Sequence, residues 1–539
     1  MQQLSPTKLI KAMLCIAIFS FTFSSCIKDE FQFDNLATTQ WNPSLAIPIA
    51  NSSLTLGDFI PEDDNLVTGP NNELTLVYES LYESPLASEI YPIPNQNTTQ
   101  SVNFPGLPAG TPVDTGTIVI DTTMLLNFIA PPAMEIDSIL FKSGQWNFNF
   151  SSSFSQSGSL QIIIRDAERN GVPFTSTIPF NYTGSTPVTT SASYGIGDYW
   201  FDLSRNGSSF NEIEVRYILT LINNGNAYAP SNAISIDQSI SSINFREIHG
   251  YFGEQTITTD ADTIDFKVFQ NEFQYASMTL TNPSLSIDIR NSFGMPIEAQ
   301  LSTFSVYSSQ TGFSPISGPG LPSPVYVVGP DVSQMGQALL TEINLDNTNS
   351  NIATLLNTSP DAFLYNSNAF TNPDGRAGKN FIEENSQMTV NSTFELPLEG
   401  TFDKLVFNDT MDFTLESIDE IESITIVSNI ENGFPLDFEV QYYFLDDNNN
   451  VLDSLSSQAI TLIESAPVNQ TTGLVTGTEK TKAEVVIPNN KVQNILGATK
   501  IYMYAATSTF QNGTVPVKIR SDYALDVKIG ALVTLKMEF

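Results

Sequence analysis

Short landmarks recur along this chain at a spacing near 140 residues, and a unit of that size is a domain rather than one turn of a solenoid. Asn349-Ser-Asn-Ile-Ala-Thr-Leu-Leu356 and Asn489-Asn-Lys-Val-Gln-Asn-Ile-Leu496 align without a gap, 140 positions apart. In each, an Asn-led start precedes a small apolar stripe, which predicts a capped short helix. Asp121-Thr122-Thr123, Asp262-Thr263-Ile264 and Asp409-Thr410-Met411 open comparable segments, and Ile136-Asp-Ser-Ile139 parallels Ile421-Glu-Ser-Ile424. Asn291-Ser-Phe-Gly-Met-Pro-Ile297 parallels Asn429-Ile-Glu-Asn-Gly-Phe-Pro-Leu436 with one inserted residue. The Gly-x-Pro turns in these last two segments read as an Asn ending one strand, a Gly at positive φ, and a Pro opening the next strand where it gives no ladder hydrogen bond.

Between the landmarks, strand signals dominate. Ser159–Ile164, Glu214–Leu221, Leu285–Ile289 and Phe438–Phe444 are β-branched or aromatic runs, several of them alternating apolar with polar residues. Asn170-Gly171, Asn223-Asn224-Gly225 and the stretch 446–450 supply turns at spacings typical of antiparallel sheets. The expected fold is all-β, mainly antiparallel: tandem β-sandwich-like modules with one or two short helices. The modules fall at 111–250, 251–395 and 396–539, after an entry segment over 40–110 that carries Trp41-Asn-Pro and an acidic loop at 62–64.

The N-terminus is a targeting segment. Lys8 and Lys11 precede an apolar run over 12–23, too short to span a bilayer and suited to a signal-peptide core. Ser24 and Ser25 then lead into Cys26. Phe23-Ser24-Ser25-Cys26 resembles a bacterial lipobox, departing from it where Phe23 stands for the usual Leu. That resemblance implies cleavage after residue 25 and acylation of Cys26, with residues 26–39 as an acidic tether. Ile27-Lys28-Asp29-Glu30 is similar to the export signal that carries Bacteroidota lipoproteins to the outer leaflet of the outer membrane; the alternative is an ordinary linker with the body facing the periplasm.

Acids outnumber bases 58 to 22, for a net charge of −36, a field that repels nucleic acid. Charged residues are only 15% of the chain while 36 Phe are present, so the body folds around apolar cores rather than remaining an acidic coil. Cys15 leaves with the signal and Cys26 is acylated, so no thiolate metal site or disulfide is expected, and no cofactor. His249 is the single histidine, which excludes a histidine zinc cluster and obliges any Ser-His-Asp triad to use it. No Gly-x-Ser-x-Gly elbow accompanies it, so His249 reads as a structural residue at a strand end or turn. The three Trp residues, 41, 146 and 200, are scattered rather than gathered around paired carboxylates as a glycosidase needs.

Two further patterns nominate sites. Asp446, Asp447, Asn448 and Asn450 offer clustered oxygens for calcium, but Val451 and Ser457 replace the Gly and the terminal Glu of an EF-hand loop, so a hairpin tip is the better reading. Asp-Ser/Thr pairs place hydroxyls at Thr122, Ser138, Thr263, Thr410 and Ser454. These pairs resemble the O-glycosylation acceptor motif of exported Bacteroidota proteins.

The stretch Asn282-Pro-Ser-Leu-Ser-Ile-Asp-Ile-Arg-Asn-Ser-Phe-Gly-Met-Pro-Ile297 resembles the repeat strand of late-embryogenesis-abundant type-2 domains and strands of tubular lipid-binding β folds. That likeness implies elongated sheets with an apolar groove. The alternating C-terminal segment 523–539 ends in Phe as outer-membrane barrels do, yet a lipid-anchored chain with so long a repeat points to a last sheet strand instead. Taken whole, the chain resembles the uncharacterised surface lipoproteins of flavobacteria. The first functional expectation is a non-enzymatic, membrane-anchored binding or scaffold protein for a protein or glycan partner. The second is a carrier of a lipid or other apolar ligand, and a glycan-active hydrolase comes last.

Overall fold

The computed structural model describes residues 40–55, 65–103, 116–229, 231–258, 261–266, 277–376, 378–413, 421–455, 460–495 and 497–538. Its elements are antiparallel strands and a few helical turns, arranged as three modules that share one pattern of strand pairing.

The second module shows the pattern plainly. In one sheet Ser284–Asn291 lies between Leu339–Leu345 and Met388–Pro397, and Leu74–Glu83 closes the far side of Met388–Pro397. In the facing sheet Ile297–Ser308 is flanked on one side by Ala362–Thr371, which in turn carries Thr256–Thr258 and Asp262–Asp265. On its other side lie Gly312–Pro315 and Val325–Val327. Alternation along these strands turns one face of each sheet inward. Edge-to-face rings then fill the interior, Tyr78 against Phe266, Phe266 against Phe394, and Phe363 against both Phe394 and Phe304, with centroids 4.9–5.4 Å apart.

The third module repeats the arrangement. Ile421–Asn432 lies between Glu479–Pro488 and Ala524–Leu535, with Ser44–Thr55 outside. Leu436–Leu445 lies between Lys500–Thr509 and the pair Val451–Ser454 and Ile460–Ile463, with Leu405–Asp412 outside. The first module does the same. Glu135–Ser152 sits between Val188–Gly195 and Ala233–Tyr251, with Gln96–Asn103 outside. Gly158–Arg169 sits between Glu212–Ile222 and Val172–Phe180, with Thr117–Asn127 outside. Here Trp200–Asp202 pairs with both sheets and joins them.

The described strands of the expected entry segment 40–110 therefore do not stand apart from the modules. They lay one edge strand on each module in reverse order: Ser44–Thr55 on the third, Leu74–Glu83 on the second and Gln96–Asn103 on the first. Leu74, Leu76 and Tyr78 are buried, and at roughly 1.5–3 kcal/mol per side chain that burial fixes the donated strand in place. Gln40–Trp41 pairs with Met537–Glu538, so residue 40 lies beside the last described strand.

Two junctions bind the modules. Asn380–Glu383 pairs with Glu247–Gly250 of the first module, while Phe381 and Gly294 exchange backbone hydrogen bonds inside the second. One buried apolar cluster runs continuously through both modules. Between the second and third, Ser277–Leu280, Glu399–Asp403 and Val517–Lys518 form a small sheet, and Lys518 Nζ lies 3.2 Å from Glu399 Oε2.

Local expectations shift in three places. The helix over 349–356 narrows to Ile352–Leu356, and Asn351 makes no side-chain cap because its amide is used elsewhere. The second helix spans Asn489–Ile495 and buries Val492 and Ile495. The glycines of the Gly-x-Pro turns are not at positive φ. They are there for close approach: a Cβ on Gly294 would lie 2.1 Å from the Phe381 ring, and one on Gly433 2.8 Å from Ala524 O. The partner of Asn291 in the repeat is Asn432, not Asn429. Each ends its strand fully buried, accepts from the N–H two residues on, and donates to the carbonyl four residues on.

Candidate binding site

The residues nominated by sequence are spread over all three modules. Cys26 lies outside the described residues. Thr122 is half-buried on the outer strand Thr117–Asn127, beside Asp121, which takes a bidentate contact from Arg216. That contact, led by the hydrogen bond from Arg216, holds Asp121 below the usual carboxylate range. Ser138 is 9% exposed, inside the ladder between Asp202 and His249. Thr263 and Thr410 are exposed on corresponding outer strands of the second and third modules, and Ser454 is half-buried. Asp262 and Asp453 each fold a carboxylate oxygen onto the following N–H at 2.8 Å.

At the 446–450 tip, Asp446 accepts from the N–H groups of Asn448 and Asn450 and from the Asn450 amide at 2.8–2.9 Å. Its carboxylate is thereby spent on closing the hairpin, and Asn449 Oδ1 accepts from Lys500. Asp447 and Asn448 point outward without joining it in a ligand shell. Among the described residues no group of three His, Cys, Asp or Glu side chains gathers as a metal site. His249 lies near the end of the strand Ala233–Tyr251. Its ring is 5.4 Å from that of Trp200 and 6.2 Å from Phe381, and Nε2 is 3.7 Å from Glu247.

The feature with the geometry of a binding site is one that no sequence motif nominated. In the second module Ile297–Ser308 pairs along its inner side with Ala362–Thr371, with a bulge that leaves Ser302 unmatched. On the outer side Val325–Val327 pairs only with Ile297–Ala299, and Gly312–Pro315 only with Ser305–Ser308. Among the described residues no strand pairs with Gln300–Phe304 on that side. The return strand ends on Pro315 and resumes after Pro324, and neither proline has an N–H to extend the ladder. Between them residues 317–323 belong to no strand, and a hollow of about 780 Å³ lies there.

Its apolar lining includes Leu301, Phe304, Phe313, Ile316, Leu321 and Leu364. Ser302, Thr303, Ser305, Ser317, Ser323 and Tyr365 are its hydroxyl-bearing lining residues. None of the lining residues is charged, in a chain of net charge −36. Phe313 is 64% exposed at the rim, its ring 5.0 Å from that of the exposed Tyr307. Tyr365 donates to Asp262 Oδ2 at 2.8 Å, and Ser80 donates to the same oxygen at 2.5 Å. Burial, reinforced by that carboxylate, pushes Tyr365 up to about 12. Burial opposes ionisation of Asp262, but the bonds from Ser80, Tyr365 and the Thr263 N–H outweigh it and hold the carboxyl below its usual range.

The outer wall is fastened to the helix landmark. Asn351 donates to Pro315 O at 3.0 Å and accepts from Ser317 N–H at 2.8 Å, while Gly320 N–H donates to Asn349 O. Gly318, at φ 149°, and Gly320 pack against Asn349 so closely that a Cβ on either would lie about 2.3–2.5 Å from its atoms. The wall is thus preorganised by side chains whose sequence pattern reads as a helix cap.

A hollow of about 30 Å³ in the first module, lined in part by Trp146 and Gln238, has room for a water molecule and not for a ligand. No helix among the described residues is long and apolar enough to cross a membrane.

No family model and no curated protein matches the chain. Among solved structures, a Parabacteroides distasonis protein provisionally described as secreted matches at 11% identity over 54% of this chain and 89% of its own, with a TM-score of 0.28. The VP2 subviral particle of infectious bursal disease virus matches at 11% identity over 76% of this chain and 74% of that one, with a TM-score of 0.15. A triple-jelly-roll protein of an archaeal virus follows at 8% identity, over 81% and 89%, with a TM-score of 0.12. None of these scores reaches the level at which a shared fold follows.

Proposed function

We propose that this protein is a non-enzymatic surface lipoprotein, held at the outer membrane through acyl chains on Cys26, whose three-module β body acts as a binding or scaffold protein for a protein or glycan partner. The observation that carries the reading is the uncharged hollow beside Gln300–Phe304, with Phe313 and Tyr307 exposed at its rim. Concave, mainly apolar sites with a few convergent hydroxyls are where proteins bind ligands, and exposed aromatic residues are favoured anchors. The placement of Gln40 beside Glu538 supports a tether entering at the third module, with the hollow one module further out.

The carrier reading draws on the same apolar lining. Against it, edge-to-face rings fill the second module's interior, and the hollow is lined largely by Leu301–Ser305 and the excursion after Pro315. The test places a photoreactive phenylalanine analogue at position 313 of the full chain in its native envelope, with the same probe at Val172 of the first module as control. A discrete protein or glycan adduct from position 313 alone is the expected result. Adducts to acyl lipid alone would replace this reading with the carrier, and none at all would remove the hollow from the function. Intact-mass measurement of the membrane-extracted protein tests the anchor, which requires acyl mass at Cys26.

A further inference from the structure

The geometry points to an occupant of one kind: a short, uncharged peptide that adds to Gln300–Thr303 as the missing antiparallel strand. This inference rests on the hollow being the binding surface.

Three observations carry it. First, the hollow is a gap in a ladder. The strands on either side of it, Val325–Val327 and Gly312–Pro315, run along one line antiparallel to Ile297–Ser308, and among the described residues the five positions 300–304 between them have no strand opposite. There Phe304 O accepts from Ile316 N–H at 2.9 Å. Unpaired edge backbone recruits an extended chain, because main-chain hydrogen bonds supply affinity regardless of sequence. At about 3.3 Å per residue the gap admits four or five residues.

Second, the repeat shows the gap to be particular to this module. In the third module Val451–Ser454 pairs up to Tyr443 and Ile460–Ile463 begins at Val440, so only Gln441 and Tyr442 lie between. Leu455 N–H then bonds Tyr442 O and carries the edge onward. The same architecture thus closes this edge almost completely in one module and holds it open in another. The open one keeps its wall tied back by Asn349 and Asn351.

Third, the lining chooses among occupants. An acyl chain would use the apolar residues but leave the ladder groups of Gln300–Thr303 without partners, and a sugar would find no carboxylate or amide in the lining to grip its hydroxyls. A strand of alternating apolar and hydroxyl residues meets the backbone, sets apolar side chains on Leu301, Phe313 and Leu321, and faces no charge. Surrounded by a net charge of −36, the site rejects an acidic peptide.

The test uses the full chain and a library of capped hexapeptides alternating Val, Ile, Leu or Phe with Ser or Thr, read by fluorescence polarisation. Laurate and maltohexaose are run in parallel. A subset of peptides binds, and N-methylation of alternate amides weakens them by about tenfold or more, since it removes ladder donors. Ser302→Pro acts likewise from the protein side. Ser302 is the unmatched residue of the bulge, its Oγ donating to Asn366 O on the inner strand at 3.3 Å, and an unchanged thermal midpoint is required to show that the substitution spares the sheet. Phe313→Ser, at an exposed rim position, weakens the apolar half of the contact. Peptides that bind equally well when N-methylated, or a library without binders, overturn strand addition. Laurate or maltohexaose bound in a Phe313-dependent way overturns it too but leaves the hollow as a binding surface. If no probe of any class binds, both readings fall.

Discussion

Replacing Asn291 or Asn432 by Ala tests whether the repeat is held by a shared side-chain role. Both side chains are fully buried. Asn291 donates to Met295 O at 3.0 Å and Val328 O at 3.2 Å, and accepts from Phe293 N–H at 2.9 Å. Asn432 makes the equivalent bonds to Leu436 O, Glu464 O and Phe434 N–H at 2.8, 2.9 and 2.8 Å. Truncation leaves three backbone groups without their partners, each costing about 1–3 kcal/mol where water cannot reach it. Allowing for relaxation, about 3–5 kcal/mol follows for either variant, with the shorter bonds placing Asn432 at the upper end. The modules need not unfold together, so the readout is local: hydrogen exchange by mass spectrometry over 292–297 and 433–436. A loss of about 3 kcal/mol raises local opening more than a hundredfold, confined to the mutated module. Asn→Asp is the control. It keeps the acceptor but turns a carboxylate toward two carbonyls, so it protects no better than Ala. Acceleration below about tenfold in either Ala variant would show that these turns are held by the backbone alone, and rescue by Asp would show that the amide's donated bonds contribute nothing.

Gly294→Ala drives a methyl group to 2.1 Å from the Phe381 ring at the junction of the first two modules; a cost of about 3 kcal/mol and faster proteolysis within 372–384 are expected. The 446–450 hairpin depends on pH. The hydrogen bond from the Asn450 amide, then those from backbone N–H groups, lower the Asp446 carboxyl below its ordinary 3.8. A depressed carboxyl stabilises the fold above its unfolded value, so the Asn448 and Asn450 amides stay protected from exchange at about pH 5 and lose protection as pH falls through the lowered value, while Asp446→Ala loses it at every pH. Peptide mapping of the native protein should find any O-glycan at exposed Thr263 or Thr410 and none at Ser138, which the folded ladder covers.

Legibility in the sequence followed whether a feature is written in local chemistry. Short helices after 349 and 489 were visible because an apolar stripe must be buried, and Ile352, Leu355, Val492 and Ile495 are. The Asn-turn-Pro pattern was visible too. Its register was not, because Asn429 and Asn432 are both turn-formers and only burial separates them. Glycine at 294 is ambiguous for a similar reason: positive φ and close approach demand the same residue, and the ring that decides between them comes from position 381. The donated strands were hidden more deeply. Ser44 pairs with Thr534, 490 residues away, and nothing in an alternating strand names its partner. The hollow was hidden because it is made of pairings that do not form. Its one local trace is the Gly- and Pro-rich excursion over 316–324, bounded by prolines at 315 and 324.

The reversed threading bears on what the body can do. The chain lays its strands on the third, second and first modules in turn, and then returns to build the first, second and third around them. The first module can close once residue 251 is made, whereas the third waits for Ala524–Leu535 before Ser44–Thr55 has a partner. Such pairings are slow to form because loop closure precedes their reward. In exchange, each module is tied to both an early and a late part of the chain. Pulling on residue 40 loads Ser44–Thr55 along its eleven registered pairs with Ala524–Leu535, and not a single inter-module linker. A body pulled at the third module and loaded at the second therefore transmits force through paired strands and two buried junctions. That suits an anchored scaffold that holds a partner, and it is wasted on a soluble shuttle that must carry its ligand away.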